Sequence, residues 1–95
     1  MLEGEPLAER DARELVRRIV AGGSIVFSRH ARDEMGKDGL TDRDVLHVVR
    51  AGLMRPAEME RGTWRYRFEA GRTAAVIAFQ SEMELRIVTA WRSKP

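Results

Sequence analysis

Ninety-five residues carrying 43% hydrophobic and 34% charged side chains bound the chain to one small domain with a modest core. The absence of cysteine excludes a disulfide framework, a thiol nucleophile and cysteine-bound zinc. No apolar run approaches the roughly 20 residues of a membrane span, and "MLEGEPLAER" lacks a basic-then-apolar signal pattern, so a cytoplasmic location is expected.

The first half reads as helical. Pro6 opens a segment in which Ala12, Leu15, Val16 and Ile19 recur at helical spacing until Gly22 and Gly23 stop it. "SIVF" (24–27) predicts one short strand. Ser28 then caps a second helix over 29–35, ended by Gly36, with "KDG" as a turn. In the third helix Thr41 and Asp44 form a capping-box pair and Leu40 staples onto Val45. Val45, Leu46, Val48 and Val49 supply its apolar side, Gly52 ends it, and His47 falls among them as a partly buried structural group.

After Pro56 the hydrophobic period becomes two. Strands are predicted over 64–69, 73–79 and 85–92, with a shorter one around 57–60. The expectation is an α+β domain spanning 1–95: a helical part (6–52) with one short strand, packed on an antiparallel sheet of three to four strands (56–92). With Ala70-Gly71 as the hairpin turn, one face carries Trp64, Tyr66, Phe68, Ile77 and Phe79. Burial selects the register that sets Leu85 beside Phe79 and Ile87 beside Ile77, because a one-residue slip exchanges faces. Trp91 is then expected on this bulky face, under the helices. The opposite face combines Ala74, Val76 and Ala78 with Arg65, Arg67, Arg72, Arg86 and Arg92, opposed only by Glu69.

Fifteen of the 17 basic residues are arginine, whose planar fork suits phosphate. Residues 1–53 hold nine basic and ten acidic side chains, whereas 54–95 hold eight and five, so the excess lies in the sheet half. Five guanidiniums over an alanine–valine floor suggest a phosphate-binding surface. Outward charge on a half-exposed antiparallel sheet is the ordinary alternative. There is no phosphate-binding glycine loop or dinucleotide fingerprint, and His30 and His47, 17 residues apart, make no metal motif. Carboxylates at the start of the third helix argue against a DNA-reading helix-turn-helix.

The order helix, short strand, helix, helix, then an arginine-bearing sheet ending in "IVTAWRS" resembles the RelE/ParE superfamily of small bacterial toxins. "LVRRIVAGGSIVFSRHARDEMGKDGLTDRDVLHVV" is similar to the lead of MqsR-like toxins, and "SRHAR" followed by "GLTDRDVL" resembles a sister group of small domains. The resemblance covers roughly 12–93. It implies an endoribonuclease acting on messenger RNA, on the ribosome or free of it, and held inactive by a cognate antitoxin. No cofactor, metal or membrane is implied. Arg92 matches a C-terminal basic position, Arg65 a polar position on the first long strand, and Arg55 a basic residue in the loop after the third helix. Where MqsR-like toxins have a middle-strand tyrosine, this chain has "TAAV".

Cleavage of this kind uses the ribose 2′-hydroxyl as nucleophile. It needs charge stabilisation at phosphorus, which arginines provide, and proton transfer, which they do not. His30 is the one candidate base beside the arginines. The expected site is therefore His30, Arg67 and Arg92 for catalysis, with Arg55, Arg65, Arg72 and Arg86 binding RNA. Alternatives are a non-catalytic protein- or RNA-binding module on the same fold, and a gyrase-poisoning toxin of the same superfamily. For His30 the choice is a helix-start hydrogen-bonding role or catalysis, and catalysis requires it to approach the arginine face.

Overall fold

The computed structural model describes residues 2–95. Three helices, α1 (Glu9–Gly22), α2 (Arg29–Asp38) and α3 (Asp42–Ala51), cover one side of a six-stranded mixed sheet. Its strands are β1 (Ser24–Phe27), β2 (Leu53–Met54), β3 (Glu58–Glu60), β4 (Thr63–Ala70), β5 (Thr73–Ser81) and β6 (Glu84–Arg92). The order is β1-β6-β5-β4-β2, with β3 also on β4. The α+β class is as expected, but the sheet has more than three to four strands. The short strand β1 joins it, parallel to β6, with Ile25 beside Leu85 and Phe27 beside Ile87.

Local chemistry explains the helices. In α3 the Thr41 hydroxyl accepts from the Asp44 amide while the Asp44 carboxylate accepts from the Thr41 amide, the full capping box. The bond from the Thr41 backbone, with the Thr41 side chain adding to it, holds the Asp44 carboxyl below its ordinary range. Helix α2 runs to Asp38, past Gly36, and stops at Gly39, whose φ of 66° gives the left-handed cap that glycine adopts without strain. A glycine inside a helix is tolerated, so Gly36 was the wrong stop. His47 is exposed, not partly buried. It shares the outward side of α3 with Arg43 and Arg50, at the i, i+4, i+7 spacing of one helical face.

The core lies between the helices and the inner face of the sheet. Ala12, Leu15, Val16 and Ile19 of α1 and Val45, Val48 and Val49 of α3 meet Tyr66, Phe68, Ile77, Leu85 and Ile87. Burying each large side chain contributes about 1.5–3 kcal/mol. Tyr66 also ties down the N-terminal leg: its hydroxyl accepts from the Leu7 amide (3.0 Å) and donates to Glu5 (2.9 Å). Burial pushes its phenol up to about 12.

Two registers differ from expectation, with unequal consequences. The β4–β5 turn is Gly71-Arg72, so Phe68 faces Ala75 and Tyr66 faces Ile77. That shift of two residues leaves every side chain on its expected face. Between β5 and β6 the pairs Phe79–Leu85 and Ile77–Ile87 are those burial selected. The next pair, however, is Val76–Thr89, so β6 carries Val88 as an extra residue. Such a bulge reverses the parity of everything beyond it. Ala90 thereby enters the core, and Trp91, paired with Ala74, turns to the outer face. Arg92, paired with Thr73, turns to the helix side.

Ser28 holds the bulge. Its hydroxyl accepts from the Ala31 amide (2.9 Å), capping α2, and donates to the Val88 carbonyl (2.7 Å), while its amide donates to Ile87 (2.9 Å). Ser28→Ala removes the cap and leaves the Val88 carbonyl without this donor. Urea unfolding should show a loss of about 1–2 kcal/mol, more than an alanine at exposed Ser93; equal midpoints would contradict the anchoring role.

Candidate phosphate-binding face

The outer face of the sheet is organised in rows across the strands. Ala78 pairs with Arg86, and Arg65 follows on the other side of β5 because Tyr66 pairs with Ile77. Val76 separates Thr89 from Arg67, and Ala74 separates Trp91 from Glu69. Small residues on the central strand thus make a floor between rows of longer side chains. The strand spacing puts the Cα atoms of Arg65 and Arg86 about 10 Å apart, close enough for both guanidiniums to converge above Ala78.

His30 reaches this face. A concavity of about 470 Å³ is lined by His30, Ser28, Arg61, Arg65, Arg86 and Val88 over a floor that includes Ala78. The reason is local: α2 starts at the sheet edge, with Ser28 bonded to Val88, so Ala31 points into the core and His30 lies over the outer side. Ser28, not His30, makes the helix-start hydrogen bonds. The first turn of α2 carries Arg29 and His30 and no carboxylate, unlike those of α1 and α3.

A neighbouring concavity of about 620 Å³ shares Arg65 and is lined also by Arg55, Arg67, Glu58, Glu60 and Glu69. Here carboxylates already hold the cations. Glu69 bonds Arg55 (3.0 Å) and Arg67 (2.6 Å), and Glu60 lies 3.5 Å from Arg65. The hydrogen bond from Arg55 is the main cause that lowers the Glu69 carboxyl below its ordinary value, with Arg67 adding to it. The Arg65 Nε is buried and has no hydrogen-bond partner among the described residues. A buried donor left unspent costs about 1–3 kcal/mol.

The expected site therefore divides. His30, Arg65 and Arg86 meet in one concavity, and Arg55 and Arg67 occupy the next. Arg72 sits in the β4–β5 turn, where its carbonyl accepts from the Ser93 amide. Arg92 departs: its amide donates to Asp38 Oδ2 (2.8 Å) and its guanidinium reaches the Asp38 carbonyl (3.5 Å), at the end of α2 on the other side of the sheet. The bulge at Val88 is the cause.

Four residues escaped the sequence reading. Arg61 enters the His30 concavity from the β3–β4 turn, where it and Gly62 both have positive φ. Trp91 lies on this face with the Arg67 guanidinium 4.8 Å from its ring centre. Glu58 and Glu60 oppose the arginines, so Glu69 is not their only counter-charge. Their signal was the period-two pattern "EMERGTWR", in which a two-residue Arg-Gly turn puts Glu58 opposite Arg65. Among the described residues no three His, Asp or Glu side chains gather as a metal ion would need, and no helix is long and apolar enough to cross a membrane.

Residues 27–92 match the family described as a domain of unknown function, DUF4258, and the chain belongs to that family. The match begins at Phe27, the last residue of β1, and ends at Arg92, so it includes His30 and the arginine-bearing strands β4 to β6. Neither the curated proteins nor the solved structures provide a match.

The Glu69 ion pairs give a pH signature. A lowered carboxyl value means that its stabilisation is present above 4.5 and lost as pH falls through the lower folded value. Carboxyl NMR should place the Glu69 midpoint below 4.5, and Arg55→Ala should move it upward; the same midpoint in both proteins would contradict the assigned cause.

Proposed function

We propose that the outer face of the sheet binds single-stranded RNA and that the His30 concavity cleaves it, in the manner of small RelE/ParE-type toxins. The observation that carries this reading is the meeting of His30, Arg65 and Arg86 around one floor. Arg65 and Arg86 hold the non-bridging oxygens of the scissile phosphate with charge-assisted bonds, and Arg61 adds positive charge at the rim. The neutral His30 imidazole takes the proton of the ribose 2′-hydroxyl. The 2′-oxygen then attacks phosphorus, and the bond to the 5′-oxygen breaks. That oxygen takes its proton from solvent, because guanidiniums do not release theirs. The products are a 2′,3′-cyclic phosphate and a 5′-hydroxyl end. A cognate antitoxin that restrains this activity belongs to the same reading.

A specific observation favours a second reading, a non-catalytic RNA- or protein-binding module. Glu60 and Glu69 already engage Arg65, Arg55 and Arg67, and the middle strand offers alanine and valine where MqsR-like toxins have a tyrosine.

Induced expression should arrest growth, and purified protein should leave cyclic-phosphate ends on RNA. Arg86→Ala should lower cleavage about a hundredfold and His30→Gln at least that much. Arg92→Ala, on the other side of the sheet, should retain most activity. Wild-type protein that binds RNA without cutting it would replace the first reading by the second.

A further inference from the structure

We propose that Trp91 and Arg67 form a stacking platform for one unpaired base of the RNA whose phosphate lies between Arg65 and Arg86. This rests on the reading of the outer face as an RNA surface, and it adds a base subsite to a phosphate site.

Trp91 is not placed where the core needs it. The bulge gives the inward position to Ala90 and leaves the indole on the outer face, half-buried beside Ala74. The Arg67 guanidinium lies over that ring, 4.8 Å from its centre, with Glu69 2.6 Å from its Nε. The carboxylate holds the Nε edge of the guanidinium, and the indole lies beneath its central carbon. The Arg67 side chain is 48% exposed and so accessible to a ligand. A base extends such a stack naturally, because guanidinium and indole planes both accept aromatic partners.

The position suits a base attached to the proposed phosphate. From the Ala78 row to the Ala74 row the strand rises about 13 Å, with the Arg67 row halfway. A strand of RNA laid along β5 can therefore put a phosphate at Arg65 and Arg86 and a neighbouring base at Arg67 and Trp91. The ligand must be single-stranded, since paired bases hide their faces in the helix. Stacking also tolerates any base, so the platform fixes register more than sequence.

The test uses a non-cleavable 2′-O-methyl oligouridylate and versions with one abasic position, with binding read by fluorescence anisotropy. Trp91→Leu, with its circular dichroism retained, should weaken binding about tenfold or more, whereas Trp91→Phe, which keeps a ring, should lose little. One abasic position should weaken wild-type binding and cost Trp91→Leu nothing further. Equal abasic penalties in both proteins, or wild-type affinity in Trp91→Leu, would overturn the platform. If Trp91→Leu does not fold, abasic scanning on Arg67→Lys takes its place, with the same loss of the abasic penalty required. Weak binding by Arg86→Ala together with no abasic penalty in wild-type protein would keep the phosphate site and overturn the platform alone. A platform found in a protein that never cleaves would stand as part of a binding module.

Discussion

The Ser28 hydroxyl joins the two parts of the molecule on which the proposed chemistry depends. As an acceptor it starts α2, and as a donor it holds the carbonyl of Val88, the extra residue in β6. The first bond decides where His30 stands; the second helps decide which way Trp91 and Arg92 turn. Ser28 is only 8% exposed, so neither bond competes with much water. Parity along a strand is all-or-none, and one inserted residue puts an aromatic ring on the outer face and a guanidinium on the helix side.

Charge on the outer face is arranged by pairing as much as by excess. A formal charge of +2 conceals a local division. Arg55 and Arg67 share Glu69, and Arg65 leans toward Glu60. Arg61 and Arg86 line the His30 side of the face, which no carboxylate lines. These exposed pairs contribute little to stability, but they orient the guanidiniums and leave the His30 side the more positive. The proposed phosphate site therefore lies at the end of the sheet nearest α2.

Much of this was legible in the residues because it depends on local rules. The Thr41–Asp44 box, the Ser28 cap, the α1 core positions and the pairing of Leu85 and Ile87 with β5 all follow from spacing and burial. The reversal beyond Val88 was not legible. "IVTAW" is a run of good strand formers, and nothing in Val or Thr marks where an extra residue bulges out. Hence Trp91 and Arg92 were assigned to each other's faces. The parallel pairing of β1 with β6 is likewise non-local, since it joins residues about 60 positions apart. The choice of Gly39 over Gly36 as helix stop turned on a backbone angle that either glycine could adopt.

The membership of α2 through β6 in one family of unstated function leaves the chemistry of the outer face to direct measurement. The most direct is backbone-amide NMR of the wild-type protein titrated with a non-cleavable single-stranded RNA. Shifts concentrated at His30, Arg65, Ala78, Arg86 and Val88 are the predicted result. Shifts confined to the outward sides of α1 and α3, or to the corner where Arg92 meets Asp38, would contradict an RNA site on the outer face of the sheet.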